Sequence, residues 1–222
     1  MIVQVYAIKS VQEMQMCIDA GLDRWGLEVG KKGIMPSEMS FEKTRQVFKA
    51  TPAKYPKMAL TIDTDIDDLV EIVTETKPDL FHLCGNIEDL LPEDVYELLK
   101  KIPGVEIIQA IPILGPESLD IALAYEEVAD ILFLDSVAPD VKGIGIAGVT
   151  HDWSISRKIV DTVKKPCILA GGLSPENVAE AIRAVRPWGV DSNTHTCIPG
   201  TWKKDPDRLH QFNQEAKAAL QE

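Results

Sequence analysis

Short runs of β-branched and other apolar residues alternate along the chain with longer runs whose apolar residues recur at helical spacing. The strand-like runs are 2–8 (IVQVYAI), 25–29 (WGLEV), 58–63 (MALTID), 80–84 (LFHLC), 105–111 (VEIIQAI), 130–135 (DILFLD), 166–170 (PCILA) and 188–192 (WGVDS). The helical runs between them are 11–21, 37–50, 66–76, 92–102, 117–128, 154–163, 175–185 and 206–220. Regular alternation of this kind predicts parallel strands joined by helical crossovers. Eight such pairs, each about 28 residues, fill the sequence. Eight favour a closed barrel over an open doubly wound sheet, so the expectation is one α/β domain, a (β/α)8 TIM barrel spanning 1–222.

Composition narrows the partners. The 222 residues are 45% hydrophobic and 26% charged, which suits a globular protein with one sizeable core. A net charge of −12 argues against nucleic acid, because nothing neutralises phosphates at large. A small phosphorylated metabolite stays allowed, since one local turn can hold an anion. No apolar run approaches the roughly 20 residues that span a bilayer, and the start, MIVQVYAIKS, does not read as a signal peptide. Cys17, Cys84, Cys167 and Cys197 are widely spaced, with no C-x-x-C. Reduced thiols in a cytoplasmic protein, monomer or homodimer, are the simple reading. Cys17 and Cys167 fall on elements where packing is their expected role.

In a barrel of this kind, chemistry sits at the C-terminal strand ends and the loops after them. Tyr6, Glu28, Asp63, His82, Cys84, Gln109, Asp135, Asp191 and Asn193 all fall there. Each alone could merely cap a loop, but a ring of acids around one mouth points to a site. The stretch 167–182, CILAGGLSPENVAEAI, adds a second signal. Two glycines between a strand and a helix let the backbone approach a phosphate, with Ser174 as expected N-cap and Pro175 as first helical residue. A sharp turn alone would also account for Gly171 and Gly172. The segment 137–153 is long and glycine-rich, as mouth-covering lids are, or else a simple connector. Trp153 and Trp188 are expected to pack helix against strand.

Residues 166–191, PCILAGGLSPENVAEAIRAVRPWGVD, resemble the closing third of the phosphoribosylanthranilate isomerases, which read AGGL-x-PENV-x-x-AI and RP-x-x-VD. LDSVAP (134–139), HDW (151–153) and PGTWKKD (199–205) are similar to further family elements, and HLCGN (82–86) stands where the family has QLHG. The resemblance implies a cofactor-free (β/α)8 barrel that turns an aminoaldose phosphate into an aminoketose phosphate in tryptophan biosynthesis. It places Asp135 as the general acid for the ribose ring oxygen. It places phosphate on Gly171 and Gly172 and on the turn Asn193, Thr194, His195.

The departures lie at ligand-facing positions. The family's first strand reads KICGI, its cysteine removing the C2′ proton; here Gln4-Val5-Tyr6-Ala7-Ile8 puts Tyr6 at that position. A phenol with pKa about 10 is a poor base near neutrality, so Glu28 and Cys84 stand beside Tyr6 as candidates. Where the family carries an arginine for the anthranilate carboxylate, this chain has Lys31 and Lys32. His82, Gln109 and Asp191 are further candidate substrate contacts. His82 and Cys84, or His195 and Cys197, with Asp63, Glu28 and Asp135 are residue types zinc accepts. No short spacing unites them, so no metal is assigned. Two readings remain: an Amadori-type isomerase, with turnover of phosphoribosylanthranilate itself expected to be weak or absent, or a phosphometabolite-binding barrel that is non-catalytic or acts on another phosphosugar.

Overall fold

The computed structural model describes residues 1–137, 143–145 and 148–219. Eight parallel strands close into a barrel in chain order: β1 (Ile2–Val5), β2 (Arg24–Glu28), β3 (Met58–Thr61), β4 (Leu80–Leu83), β5 (Glu106–Pro112), β6 (Ile131–Asp135), β7 (Cys167–Leu169) and β8 (Gly189–Ser192). β8 closes the ring on β1 with Ile2 opposite Gly189 and Gln4 opposite Asp191. After them come helices α1 (Val11–Asp19), α2 (Phe41–Ala50), α3 (Ile66–Thr76), α4 (Pro92–Lys101), α5 (Ser118–Glu126), α6 (Trp153–Thr162), α7 (Val178–Val185) and α8 (Pro206–Ala218). This is the expected (β/α)8 barrel. No helix among the described residues is long and apolar enough to cross a membrane.

The helices start where short polar side chains satisfy their unpaired amides. Ser10 accepts from the Glu13 amide, and Asp65, Asp152 and Asp205 cap α3, α6 and α8 in the same way. Alternation along the strands divides the core in two. Val3, Val5, Leu27, Phe81, Leu132 and Leu169 face outward into the large layer against the helices. Met58, Leu80, Ile108, Ile131, Phe133 and Ile168 face inward with Tyr6 and plug the barrel. All four cysteines are buried and unpaired.

Three boundaries differ from the periodicity by three residues or more. β1 ends at Val5 rather than Ile8, because Ala7 sits at φ 63, a left-handed conformation that no strand continues through. α2 starts at Phe41, capped by Ser40, not at Ser37. α7 starts at Val178, not Pro175. Ser174 does accept an amide, that of Glu176, but the chain makes a turn there before the helix begins. The glycine-rich segment 137–153 falls partly outside the described residues; 137, 143–145 and 148–153 are described.

Tyr6 lies across the barrel interior over Gly26, where a Cβ would run into its ring. Gly26→Ala is therefore expected to destabilise the fold by about 1–3 kcal/mol, the usual cost of overpacking a filled core. Urea denaturation checks this, with Tyr6→Ala as background: there the cost of the extra methyl should disappear, since neighbouring substitutions couple.

Candidate active site

At the C-terminal ends of the strands two cavities adjoin. The larger, about 540 Å3, is bounded by Tyr6, Glu28, Leu60, Cys84, Phe133 and Trp202 among others, and is apolar on one side. The smaller, about 280 Å3, is bounded by Gly148, Gly171, Gly172, Leu173, Ser192 and His195. Asp135, Gly145, Asp191, Asn193 and Thr194 line both. The junction is thus a distinct place, and among the described residues its titratable side chains are two carboxyls.

The smaller cavity has the features of an anion site. Gly171 and Gly172 follow β7 at φ 81 and φ 59. A Cβ on Gly172 would lie 2.6 Å from the carbonyl carbon of Val149, and one on Gly171 2.9 Å from His151 Nδ1. Both glycines are therefore demanded by the turn and by the close approach of residues 149–151. Among the described residues no hydrogen bond occupies the amides of Gly172, Leu173, Thr194 and His195. Free amides around a small polar cavity are what an anion binds. His195 Nε2 donates to the Gly148 carbonyl at 3.0 Å, tying the β8 turn to the segment over the glycines. Beneath that turn the buried Lys204 ammonium donates to the Asn193 carbonyl, Asn193 Oδ1 and Thr196 Oγ1 at 3.0–3.2 Å.

The carboxyls at the junction are deprived of water. Asp135, at the end of β6, is held well above the usual carboxylate range, first by burial and further by Asp191, with the Ser136 amide opposing at 2.7 Å. Gly145 passes so close that a Cβ there would meet the Asp135 carboxyl. Asp191, on β8, is pushed up to about 7 by burial, restrained by Gln4, Lys204 and Arg24. Gln4 Nε2 donates to Asp191 Oδ1 at 3.1 Å, and Arg24 Nε donates to Gln4 Oε1 at 2.7 Å. Glu28, deeper in the larger cavity, is also raised by burial. It accepts from the Ser37 amide at 3.1 Å and from Asn193 Nδ2 at 3.5 Å.

Tyr6, His82 and Cys84 form a chain. The Tyr6 hydroxyl is 2.8 Å from His82 Nδ1, and His82 Nε2 is 3.2 Å from the Cys84 sulfur. Burial and then Arg24 depress the His82 pKa to about 3, so its ring is neutral. Burial raises the Tyr6 phenol and the Cys84 thiol well above their ordinary values, and Asp135, Asp191 and Glu28 push the thiol further. Near neutral pH all three groups are uncharged.

Other expected contacts lie elsewhere. Lys31 pairs with Asp68 and Glu71, and Lys32 with Asp63 at 2.5 Å and Asp68 at 3.0 Å. Their ammonium groups are spent on β3 and α3, and neither lysine lines the cavities. Gln109 shares the face of Ile107 and Ile111, which belong to the helix-facing layer, and so points away from the mouth. His82 is fully buried below the cavity rather than lining it. Among the described residues no group of three or more His, Cys, Asp or Glu is placed to hold a metal ion. The sequence reading passed over Gln4, Arg24 and Lys204. Gln4 was visible as a polar residue inside an apolar run, and Lys204 as part of PGTWKKD. Trp188, expected to pack between helix and strand, is 42% exposed with the Arg24 guanidinium 5.2 Å over its ring.

The sequence pattern of the family described as N-(5'phosphoribosyl)anthranilate (PRA) isomerase matches residues 3–215. An N-(5'-phosphoribosyl)anthranilate isomerase 2 of Methanosarcina mazei is 36% identical over 195 residues, 86% of this chain and 84% of that one. The enzyme of that name from Rhodopseudomonas palustris is 31% identical over 222 residues, covering 98% of this chain and 99% of its own. Among solved structures, phosphoribosyl anthranilate isomerase from Thermotoga maritima is 26% identical with a TM-score of 0.79, covering 98% of this chain and all of that one (100%). With the pattern running from residue 3 to residue 215 and a relative 36% identical over 86% of the chain, the chain belongs to the N-(5'-phosphoribosyl)anthranilate isomerase family.

Proposed function

We propose that the chain, as one barrel domain, catalyses the aldose–ketose rearrangement for which its relatives are named. Its substrate would be an N-(5'-phosphoribosyl) arylamine of the anthranilate type. The observation that carries this is the pair of adjoining cavities. A small polar one with free amides suits the 5'-phosphate, and a larger, partly apolar one suits the arylamine. The ribose then lies at the junction, against Asp135. The four buried, unpaired thiols support a cytoplasmic setting, and the family's small-molecule chemistry needs only a monomer or homodimer.

The reaction starts with a proton. A carboxyl held neutral by burial can give one at neutral pH, and Asp135 meets that requirement. It protonates the ring oxygen, the C1′–O4′ bond breaks, and an iminium forms between C1′ and nitrogen. A base then takes the C2′ proton. The freed electron pair becomes the C1′=C2′ bond, and the iminium π pair returns to nitrogen. Protonation at C1′ and loss of the C2′ hydroxyl proton complete the aminoketose. The redox change is internal to the substrate, so the step asks for no redox cofactor.

A direct assay with phosphoribosylanthranilate, and growth of a tryptophan auxotroph lacking the isomerase, test this reading. Asp135→Asn keeps the shape and removes the proton, so turnover should fall about 10²-fold or more. A rate near that of the unaltered protein would reduce Asp135 to a loop cap and favour the non-catalytic reading. Thr194→Asp places a negative charge on an exposed residue at the rim of the smaller cavity. The inhibition constant for inorganic phosphate should rise by about tenfold or more, equivalent to 1.4 kcal/mol; an unchanged constant would move the phosphate elsewhere.

A further inference from the structure

The family's first-strand thiol is absent, and three groups near the vacated position could be thought to replace it. The surroundings of each speak against that role. Tyr6 has its hydroxyl engaged with His82 inside the barrel. The Cys84 thiol has three acids for neighbours and a neutral imidazole as the only hydrogen-bond partner of its sulfur among the described residues. A thiolate there would meet repulsion and, among the described residues, find no cation to support it. Glu28 holds the Ser37 amide with one oxygen and Asn193 with the other, and lines only the larger cavity.

Asp191 is placed differently. It stands on β8, hydrogen-bonded in register beside β1, the strand that carries the thiol in the family. It lines both cavities, as Asp135 does, so the two carboxyls face the same junction. One of its oxygens is held by Gln4. Among the described residues no hydrogen bond reaches the other. Behind it runs a directed chain, Arg24 to Gln4 to Asp191, which fixes the carboxylate plane and favours its charged form. From these placements, and resting on the isomerase reading above, we infer that Asp191 is the general base that removes the C2′ proton, with Gln4 and Arg24 as positioning residues.

The protonation states fit a paired acid and base. Two carboxyls share one desolvated space, and their environments separate them. Asp135 has no cation among the causes of its shift and keeps its proton, whereas Asp191 feels Gln4, Lys204 and Arg24 and titrates at about 7. At neutral pH a substantial fraction of the protein holds one proton on the pair, in the arrangement the reaction needs. Asp135 gives its proton to the ring oxygen and becomes a carboxylate. Asp191 takes the C2′ proton and becomes an acid. Asp191 then returns that proton to C1′, and the enol hydroxyl proton goes back to Asp135. Each carboxyl ends as it began.

Among the described residues, the titratable groups around Asp191 are Tyr6 just after β1, Arg24 and Glu28 on β2, Cys84 just after β4, Asp135 on β6, and His195 and Lys204 beyond β8. Tyr6 and Cys84 stay neutral below pH 8 and Arg24 stays charged, so none of these three produces an acid limb in kcat/KM.

The test is the pH profile of kcat/KM for phosphoribosylanthranilate in the unaltered protein and in Asp191→Asn, Cys84→Ser, Glu28→Gln and Gln4→Leu. The unaltered protein should show an acid limb near pH 7, rising tenfold per pH unit below it. Asp191→Asn should lose about 10²-fold or more in kcat and lose the limb, while its inhibition constant for inorganic phosphate stays within threefold. Cys84→Ser and Glu28→Gln should keep the limb. Gln4→Leu removes a bond that favours the charged carboxylate, so the limb should move to higher pH. A rate for Asp191→Asn within tenfold of the unaltered protein overturns the assignment. So does disappearance of the limb in Cys84→Ser or Glu28→Gln but not in Asp191→Asn. An unaltered protein with no turnover overturns the isomerase reading itself and this assignment with it, a result distinct from an active protein indifferent to Asp191→Asn.

Discussion

Burial of two carboxyls at the open end of a closed barrel is the constraint from which the character of this mouth follows. Closure of eight parallel strands leaves the interior reachable only from the ends, and Tyr6, Phe133 and their neighbours plug it from below. Asp135 and Asp191 therefore lose most of their water, with 6% and 5% of their surface exposed. Loss of hydration disfavours the charged form of each, and proximity disfavours charging both. The outcome is decided by what stands behind each carboxyl: a single backbone amide for Asp135, and an arginine-linked glutamine with a nearby lysine for Asp191.

The same desolvation explains how the barrel accommodates Tyr6. A phenol inside a plugged barrel needs a hydrogen-bond partner, and His82 supplies one from the strand opposite. His82 then needs a partner for its second nitrogen and finds Cys84. The ring itself needs space, and Gly26 on β2 leaves it. Four positions on three strands are thus coupled by one side chain. The departures from the family pattern at Tyr6, His82 and Cys84 are one packed unit beneath the junction.

The phosphate end is built by a different logic. The two glycines do not sit at the start of a helix, since α7 begins only at Val178. They sit where the backbone must turn left-handed twice while residues 149–151 press against it. The free amides come from two turns, one after β7 and one after β8, held in mutual position by the His195 bond to Gly148 and by Lys204 under Asn193. Backbone from both turns is thus open to an anion, a feature that side-chain chemistry alone would not reveal.

The fold was legible in the sequence because both of its periods are local. Alternation along 58–61 or 131–135 and the helical spacing of 66–76 depend only on neighbours, and both were read to within a residue or two at each end. The element ends were less legible where one residue's backbone angle decides them, as at Ala7. Asp135, Gly171, Gly172 and the 193–195 turn could be placed at the mouth because they stand in contiguous motifs beside strand ends. Lys31, Lys32 and Gln109 could not be judged that way, since pairing with α3 and the choice of strand face depend on residues far along the chain. The hydrogen-bond chain from Arg24 through Gln4 to Asp191 was equally hidden. Residue types and their order along the chain were enough to determine eight βα units and the turns between them. Which carboxyl keeps its proton was decided only by tertiary structure, because burial and charge at a site are set by groups that sequence separation does not measure.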